Sequence, residues 1–132
     1  MPIRRLKKVL VERIRLQKLK REHEQYVHDT APRQLKQVLG RYEESIPAKI
    51  DSLAKKMQPR LVESPLGRTR YAEEELEQIE QLKRQIEEMY ERMTEEHRRQ
   101  IIAAALHMGG HGPPYEEIAK HIVEIAKRRG DI

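Results

Sequence analysis

Three kinds of side chain in this 132-residue chain could carry chemistry: six His, several adjacent Glu pairs, and a dense run of Arg and Lys near the start. The histidines are His23, His28, His97, His107, His111 and His121. His107 and His111 stand four apart, the spacing that puts two imidazoles on one helix face as metal ligands. Gly109-Gly110 falls between them and ends a helix first. A third ligand would have to come from Glu116, Glu117 or His121 across Pro113-Pro114, and there is no His-Glu-x-x-His motif. Capping and surface roles are therefore expected for these two, with no metal. His97 falls in an apolar seam, where a half-buried, hydrogen-bonded imidazole is the expectation.

The carboxylates occur as Glu73-Glu74-Glu75, Glu87-Glu88, Glu95-Glu96 and Glu116-Glu117. General acid–base work needs carboxylates held in a cleft with perturbed pKa values. Neighbours on an exposed helix diverge and stay solvated, and the four-residue spacings Glu80–Arg84 and Glu88–Arg92 favour local ion pairs. Ser45, Ser52 and Ser64 are the only serines, each placed as a cap or turn residue, and no Gly-x-Ser-x-Gly or phosphate-binding glycine loop occurs. Gly109-Gly110-His111-Gly112 follows a helix rather than a strand and reads as a helix stop. With no Cys, thiolate chemistry, disulfides and Cys-held metals are excluded. No catalytic residue and no cofactor is expected, and the reading is a non-enzyme.

The cations remain. Residues 1–21 hold Arg4, Arg5, Lys7, Lys8, Arg13, Arg15, Lys18, Lys20 and Arg21 against Glu12 alone, nine minus one, or +8. The whole chain is +5, so the other 111 residues sum to −3. Residues 73–96 set ten Glu against Lys83, Arg84 and Arg92, a local −7. A cationic helix binds DNA or RNA by releasing counterions from phosphates. The chain has no Asn to read base edges, so backbone contact without sequence preference is expected. The cations loosely resemble the basic arm of leucine-zipper DNA-binding proteins, but the Asn and paired Ala of that arm are missing. The alternative partner for the same cations is an acidic protein surface, such as the 73–96 stretch of a neighbouring copy.

The elements that must position these groups read as all-α, about five helices. The first spans about residues 2–27, with Pro2 in its first turn and Ile3, Leu6, Leu10 and Ile14 stepping by three or four. Asp29-Thr30-Ala31-Pro32 reads as a cap and restart. A second helix then carries Leu35, Val38, Leu39 and Tyr42 to about residue 44, with Gly40 weakening it. Pro47 starts a third, which aligns Ile50, Leu53, Ala54 and Met57 and which Pro59 ends. Residues 59–69 read as a Pro/Gly linker in which residues 60–63 could form one short edge strand, and Thr69 reads as the next N-cap. One long helix is expected over about 70–108. Its Ile79, Leu82, Ile86, Met89 and Met93 step 3-4-3-4 as in a coiled coil, and the spacing then lengthens through His97, Ile101 and Ala105. A last helix over about 114–129 turns Ile118, Ala119, Ile122, Val123, Ile125 and Ala126 to one side and stops at Gly130. Its first eight residues, Tyr115 to Ile122, resemble the first helix of helix-turn-helix domains; an amphipathic docking helix explains them as well.

The organisation is thus a basic helix over 1–28, two short helices over 29–58, a linker over 59–69, and a long helix plus C-terminal helix over 70–132, joined as a helical hairpin or bundle. Charged residues make up 37% of the chain, and its only aromatics are five Tyr, which excludes an aromatic-rich β-sandwich. No apolar run approaches the ~20 residues of a membrane span, and the start has no apolar segment of a secretory signal. No membrane is expected, and an intracellular, cytoplasmic place fits. The functional expectation is a subunit of a larger complex or a homo-oligomer. The nine cations would meet phosphate, and Ile79, Leu82, Ile86, Met89, Met93, Ile118, Ile122 and Ile125 would form the seam to protein partners. The alternative is a homo-oligomeric scaffold without nucleic acid, its basic helix docked on the acidic face of the next copy.

Overall fold

The computed structural model describes residues 3–63 and 73–132, with side chains over 7–57 and 73–132. Over those residues the protein is all-α, five helices in a bundle: α1 Ile3–Tyr42, α2 Ser45–Glu63, α3 Glu73–Arg92, α4 Glu95–Leu106 and α5 Tyr115–Arg129. α1 packs chiefly on α4 and α2, α5 on α4 and α3.

The expected break at Asp29–Pro32 does not occur; α1 is one 40-residue helix with Pro32 inside it. The two residues expected to cap a new helix face backwards instead. Thr30 Oγ1 donates to the carbonyls of Tyr26 (2.9 Å) and Val27 (3.3 Å), and Asp29 accepts from Gln25 Nε2 (2.9 Å). Pro32 has no N–H, so the His28 carbonyl one turn earlier loses its helical donor. His111 Nε2 supplies the replacement at 2.8 Å. The first and second expected helices are therefore continuous because a side chain from a distant loop satisfies the group that proline orphans.

Two further boundaries move. α2 continues past Pro59 to Glu63, so residues 60–63 are helical and not a strand. The carbonyl that Pro59 frees belongs to Lys55, an exposed residue where water can take the bond. The rest of the expected linker and Thr69 lie outside the described residues. The expected 70–108 helix is two helices, α3 and α4, broken at Met93-Thr94. Thr94 leaves the helical region (φ −67°, ψ 158°) and its Oγ1 accepts from His97 N at 3.2 Å, a Ser/Thr N-cap. Thr94 N–H donates to Tyr42 Oη at 3.1 Å. Arg98 donates from Nε and Nη2 to the carbonyls of Tyr90 and Glu91, both 3.0 Å, closing the end of α3. The lengthened spacing after Met93 thus marks a break rather than a supercoil that unwinds.

The core draws on all five helices. Ala31, Leu35 and Leu39 of α1 are fully buried, as are Ile46 and Ile50 of α2, Ile86, Met89 and Tyr90 of α3, Ile101 and Ala104 of α4, and Ile118, Ile122 and Ala126 of α5. Gly40 sits where α1 meets the start of α2; a Cβ there would stand 3.1 Å from Pro47 Cγ, so the destabilising glycine permits a close approach. α5 matches expectation, ending at Gly130 (φ 76°), where Asp131 N donates to the Ala126 carbonyl at 2.8 Å in a Schellman closure. The chain bridges Pro113 and Pro114 with a cis peptide bond.

Candidate nucleic-acid interface

Backbone periodicity decides which cations can act together. At about 100° per residue, positions 4, 7, 8, 15 and 18 fall within roughly a third of the α1 circumference, while 13 and 20 share another side. Residues 7–26 are all exposed, so this part of α1 projects beyond the bundle that begins at Val27 and Ala31. The 24 residues from 3 to 26 extend about 36 Å. Lys7, Lys8, Arg13, Arg15, Lys18, Lys20 and Arg21 are all solvent-facing. Among the described residues none of the seven forms an ion pair with a carboxylate of the chain. Arg4 and Arg5 lie in the same helix, with side chains outside the described residues. The cations that face carboxylates elsewhere are different ones. Lys36 meets Asp51 at 2.7 Å, Lys83 meets Glu80 at 3.4 Å, Arg99 meets Glu95 at 2.8 Å, and Arg128 meets Glu87 at 3.2 Å. Arg129 binds Glu91. The Glu80–Arg84 and Glu88–Arg92 pairs expected from spacing do not form; Glu80 takes Lys83, three residues on.

The expected protein-interface residues have another fate. Ile79, Leu82, Ile86, Met89, Met93, Ile118, Ile122 and Ile125 are all 5% exposed or less and belong to the chain's own core. Their seam closes α3 onto α5 and the rest of the bundle, so no partner can reach it. Apolar surface is exposed instead on the projecting part of α1: Val9, Leu10, Val11, Ile14, Leu16 and Leu19 are 48–65% exposed and Tyr26 is 66% exposed. Of the apolar stripe that opens α1, the members with described side chains, Leu10 and Ile14, are exposed.

The histidines anchor the base of this projection. His28 and His111 stack with ring centroids 4.2 Å apart and planes 23° from parallel. A carbonyl only accepts, so His28 Nε2 donates to the Gly109 carbonyl (2.7 Å) and His111 Nε2 donates to the His28 carbonyl. The Gly109 bond first, then Asp29 Oδ1 at 3.4 Å from Nδ1, hold the His28 pKa above its ordinary value, against a smaller effect of burial. His107 caps α4 and does not join them. Among the described residues no three His, Cys, Asp or Glu gather around a point that could hold a metal ion. Sequence reasoning missed the His28–His111 pair. The signal for it was local: a proline four residues after His28 marks a carbonyl that needs an outside donor.

His97 is half-buried and hydrogen-bonded, as its position in the seam implied. Arg41 Nη1 donates to its Nε2 (3.1 Å), so its proton sits on Nδ1 and points at Tyr42 Oη (2.7 Å). His121 Nε2 stands 3.5 Å from Glu87 Oε2 without a hydrogen bond. Burial pulls the Lys36 ammonium down, but Asp51 and Tyr115 outweigh it and leave its pKa raised. A groove of about 490 Å³ between α2 and α3 is lined by Gln78, Gln81, Gln85, Ser45, Ser52, Lys49 and Lys56 over Leu53 and Leu82. None of the groups with shifted pKa values, His28, Lys36, Tyr90 and Tyr115, lines it. No described helix is long and apolar enough to cross a membrane. Comparison of the chain with protein-family models, curated proteins and solved structures finds no match.

Proposed function

We propose that the chain is a non-enzymatic binding subunit of a larger assembly, in which a self-contained helical bundle holds out a basic arm that lies against a nucleic-acid backbone. One observation carries this reading: the seven described arm cations are exposed and, among the described residues, no carboxylate pairs with them. Unpaired like charge on one helix is unfavourable in isolation and favourable once a polyanion sheds its counterions. The arm carries no Asn, so backbone contact without sequence preference is expected for DNA and RNA alike. The test is fluorescence anisotropy with random-sequence duplexes across a salt series. A stripe covering five phosphates gives a slope of log K on log salt of roughly −4 to −5. Reversing Lys8, Arg15 and Lys18 to Glu should abolish binding while the thermal midpoint holds, because all three lie outside the core. Binding that ignores salt, or that survives the triple reversal, refutes the reading.

A second reading has its own observation. Glu73, Glu74, Glu77 and Glu88 on α3 are exposed and form no ion pair among the described residues. An arm docked on that face of the next copy would make a scaffold without nucleic acid, an oligomer that loosens as salt rises.

A further inference from the structure

The arm carries a second pattern that phosphate binding does not use. Val9, Glu12, Leu16, Leu19, His23 and Tyr26 step by 3-4-3-4-3, the spacing of one coiled-coil seam. All six are exposed. Four are apolar, and each of those is 48% exposed or more. The seam lies about a third of a turn from the side of α1 that Ala31 and Leu35 bury in the bundle further along the helix. It also lies about a quarter turn from the basic positions 4, 7, 8, 15 and 18.

We infer that this seam pairs with the same seam of a second copy, antiparallel, with Val9 against Tyr26, Glu12 against His23 and Leu16 against Leu19. The register follows from the residues themselves. A two-fold interface must be self-complementary. Run antiparallel about the midpoint of residues 9 and 26, each apolar seam residue meets an apolar one and the one carboxylate meets the one imidazole. Run parallel and in register, Glu12 would meet Glu12 and His23 would meet His23. Beside the seam Lys8 of each copy faces Glu22 of the other, while Arg15 and Lys20 each face their own counterpart across the two-fold axis. The overlap is 18 residues, about 27 Å. Four partly exposed apolar side chains per copy make a small interface, so the dimer is reversible. Because each arm is +8 over residues 1–21, salt or a bound polyanion tightens the pair by screening the arms from one another. Pairing engages Lys8 and Arg15 beside the seam and leaves positions 7 and 18 of the basic stripe on the outer side; this inference rests on the seam and not on the nucleic-acid reading.

Sedimentation equilibrium of the full chain, at low and high salt, tests it. The expected result is a monomer–dimer equilibrium that shifts toward dimer as salt rises, opposite in sign to arm-on-α3 docking. Leu16→Glu should abolish the dimer. Glu12→Lys should weaken it about tenfold by placing a cation near His23 and the other arm's basic residues, and adding His23→Glu should restore it. These positions lie outside the core, so circular dichroism and the thermal midpoint stay at the wild-type values. The chain has no Cys of its own, so a Leu16→Cys, Leu19→Cys variant should oxidise to an intermolecularly linked dimer. A chain that is monomeric at every salt concentration overturns the proposal, as does a dimer indifferent to Leu16→Glu or a charge swap that fails to restore pairing. A monomer whose arm instead binds anionic vesicles assigns the seam to a lipid surface and overturns it equally.

Discussion

Pro32 and His111 are 79 residues apart in sequence, yet the fold makes one the remedy for the other, and that coupling can be measured. Replacing His111 with Ala removes its hydrogen bond to the His28 carbonyl and its stack on the His28 ring. In the native background nothing in the helix can take over that carbonyl, because residue 32 has no N–H. The lost bond costs about 0.5–1.5 kcal/mol, and up to ~3 kcal/mol if the carbonyl is left without a partner. The site is half open to water, which places the expected loss near the lower end. In a Pro32→Ala background an N–H returns one turn after His28, and the same His111→Ala change forfeits only the stack. The two costs should therefore differ by about 1 kcal/mol, His111→Ala being the milder change once the proline is gone. Pro32→Ala alone should stabilise α1 by restoring the helical bond, by up to ~3 kcal/mol before the gain in unfolded-chain entropy is deducted. Urea denaturation of the four proteins, read as midpoint and slope, supplies the cycle. Distant sites with no shared partner add to within about 0.3–0.5 kcal/mol. An identical cost of His111→Ala in both backgrounds would mean that the imidazole does not stand in for the missing amide, and the account of why α1 runs unbroken would fail.

Other outcomes follow from the remaining buried and capped groups. Burial, then the hydrogen bond to Asp131, pushes the Tyr90 pKa up to about 12, while Arg98 and Arg129 over the ring pull the other way. A phenol raised from its ordinary value near 10 lends stability that is complete below that value and is lost as pH climbs to the folded value. Alkaline denaturation should therefore steepen across that window, and Tyr90→Phe should remove that part of the slope. For His28 the sign is the same and the window lower: its contribution is full below the ordinary histidine value of 6.5 and is lost as pH rises through the raised folded value. The imidazole NMR titration of His28 should show the elevated midpoint, and Asp29→Asn should reduce it only in part, because the Gly109 carbonyl is the larger cause. Thr94→Ala should cost about 1 kcal/mol by uncapping α4, seen as a lower urea midpoint with an unchanged slope. A cost indistinguishable from zero would mean that water caps α4 as well as the hydroxyl does.

Much of this protein was legible before any coordinates. The 3-4 spacing from Ile79 to Met93 and the apolar side of Ile118 to Ala126 name a buried face whatever lies opposite, because burial is periodic in a helix and the period is local. Gly130 was readable as a stop for the same reason: a left-handed residue at a helix end is a property of its own backbone. The excess of cations before residue 22 is simple counting. What sequence could not supply was the identity of the opposite wall. Ile79 and Ile122 look alike whether the second helix is their own or a partner's, and only the packed bundle assigned that seam to the interior. Helix continuity was decided at the same level. Proline and a pair of capping residues argue for a break at 29–32, and an apolar pattern that lengthens its step after Met93 with no Gly or Pro argues for none at 93–94, yet both local arguments lost. His111 arrives from a distant loop to satisfy one orphan carbonyl, and Tyr42, Arg98 and Thr94 together offset the opening of the other turn. Backbone hydrogen bonds must all be met somewhere, and when the partner comes from far along the chain, its presence is a fact of the tertiary fold alone.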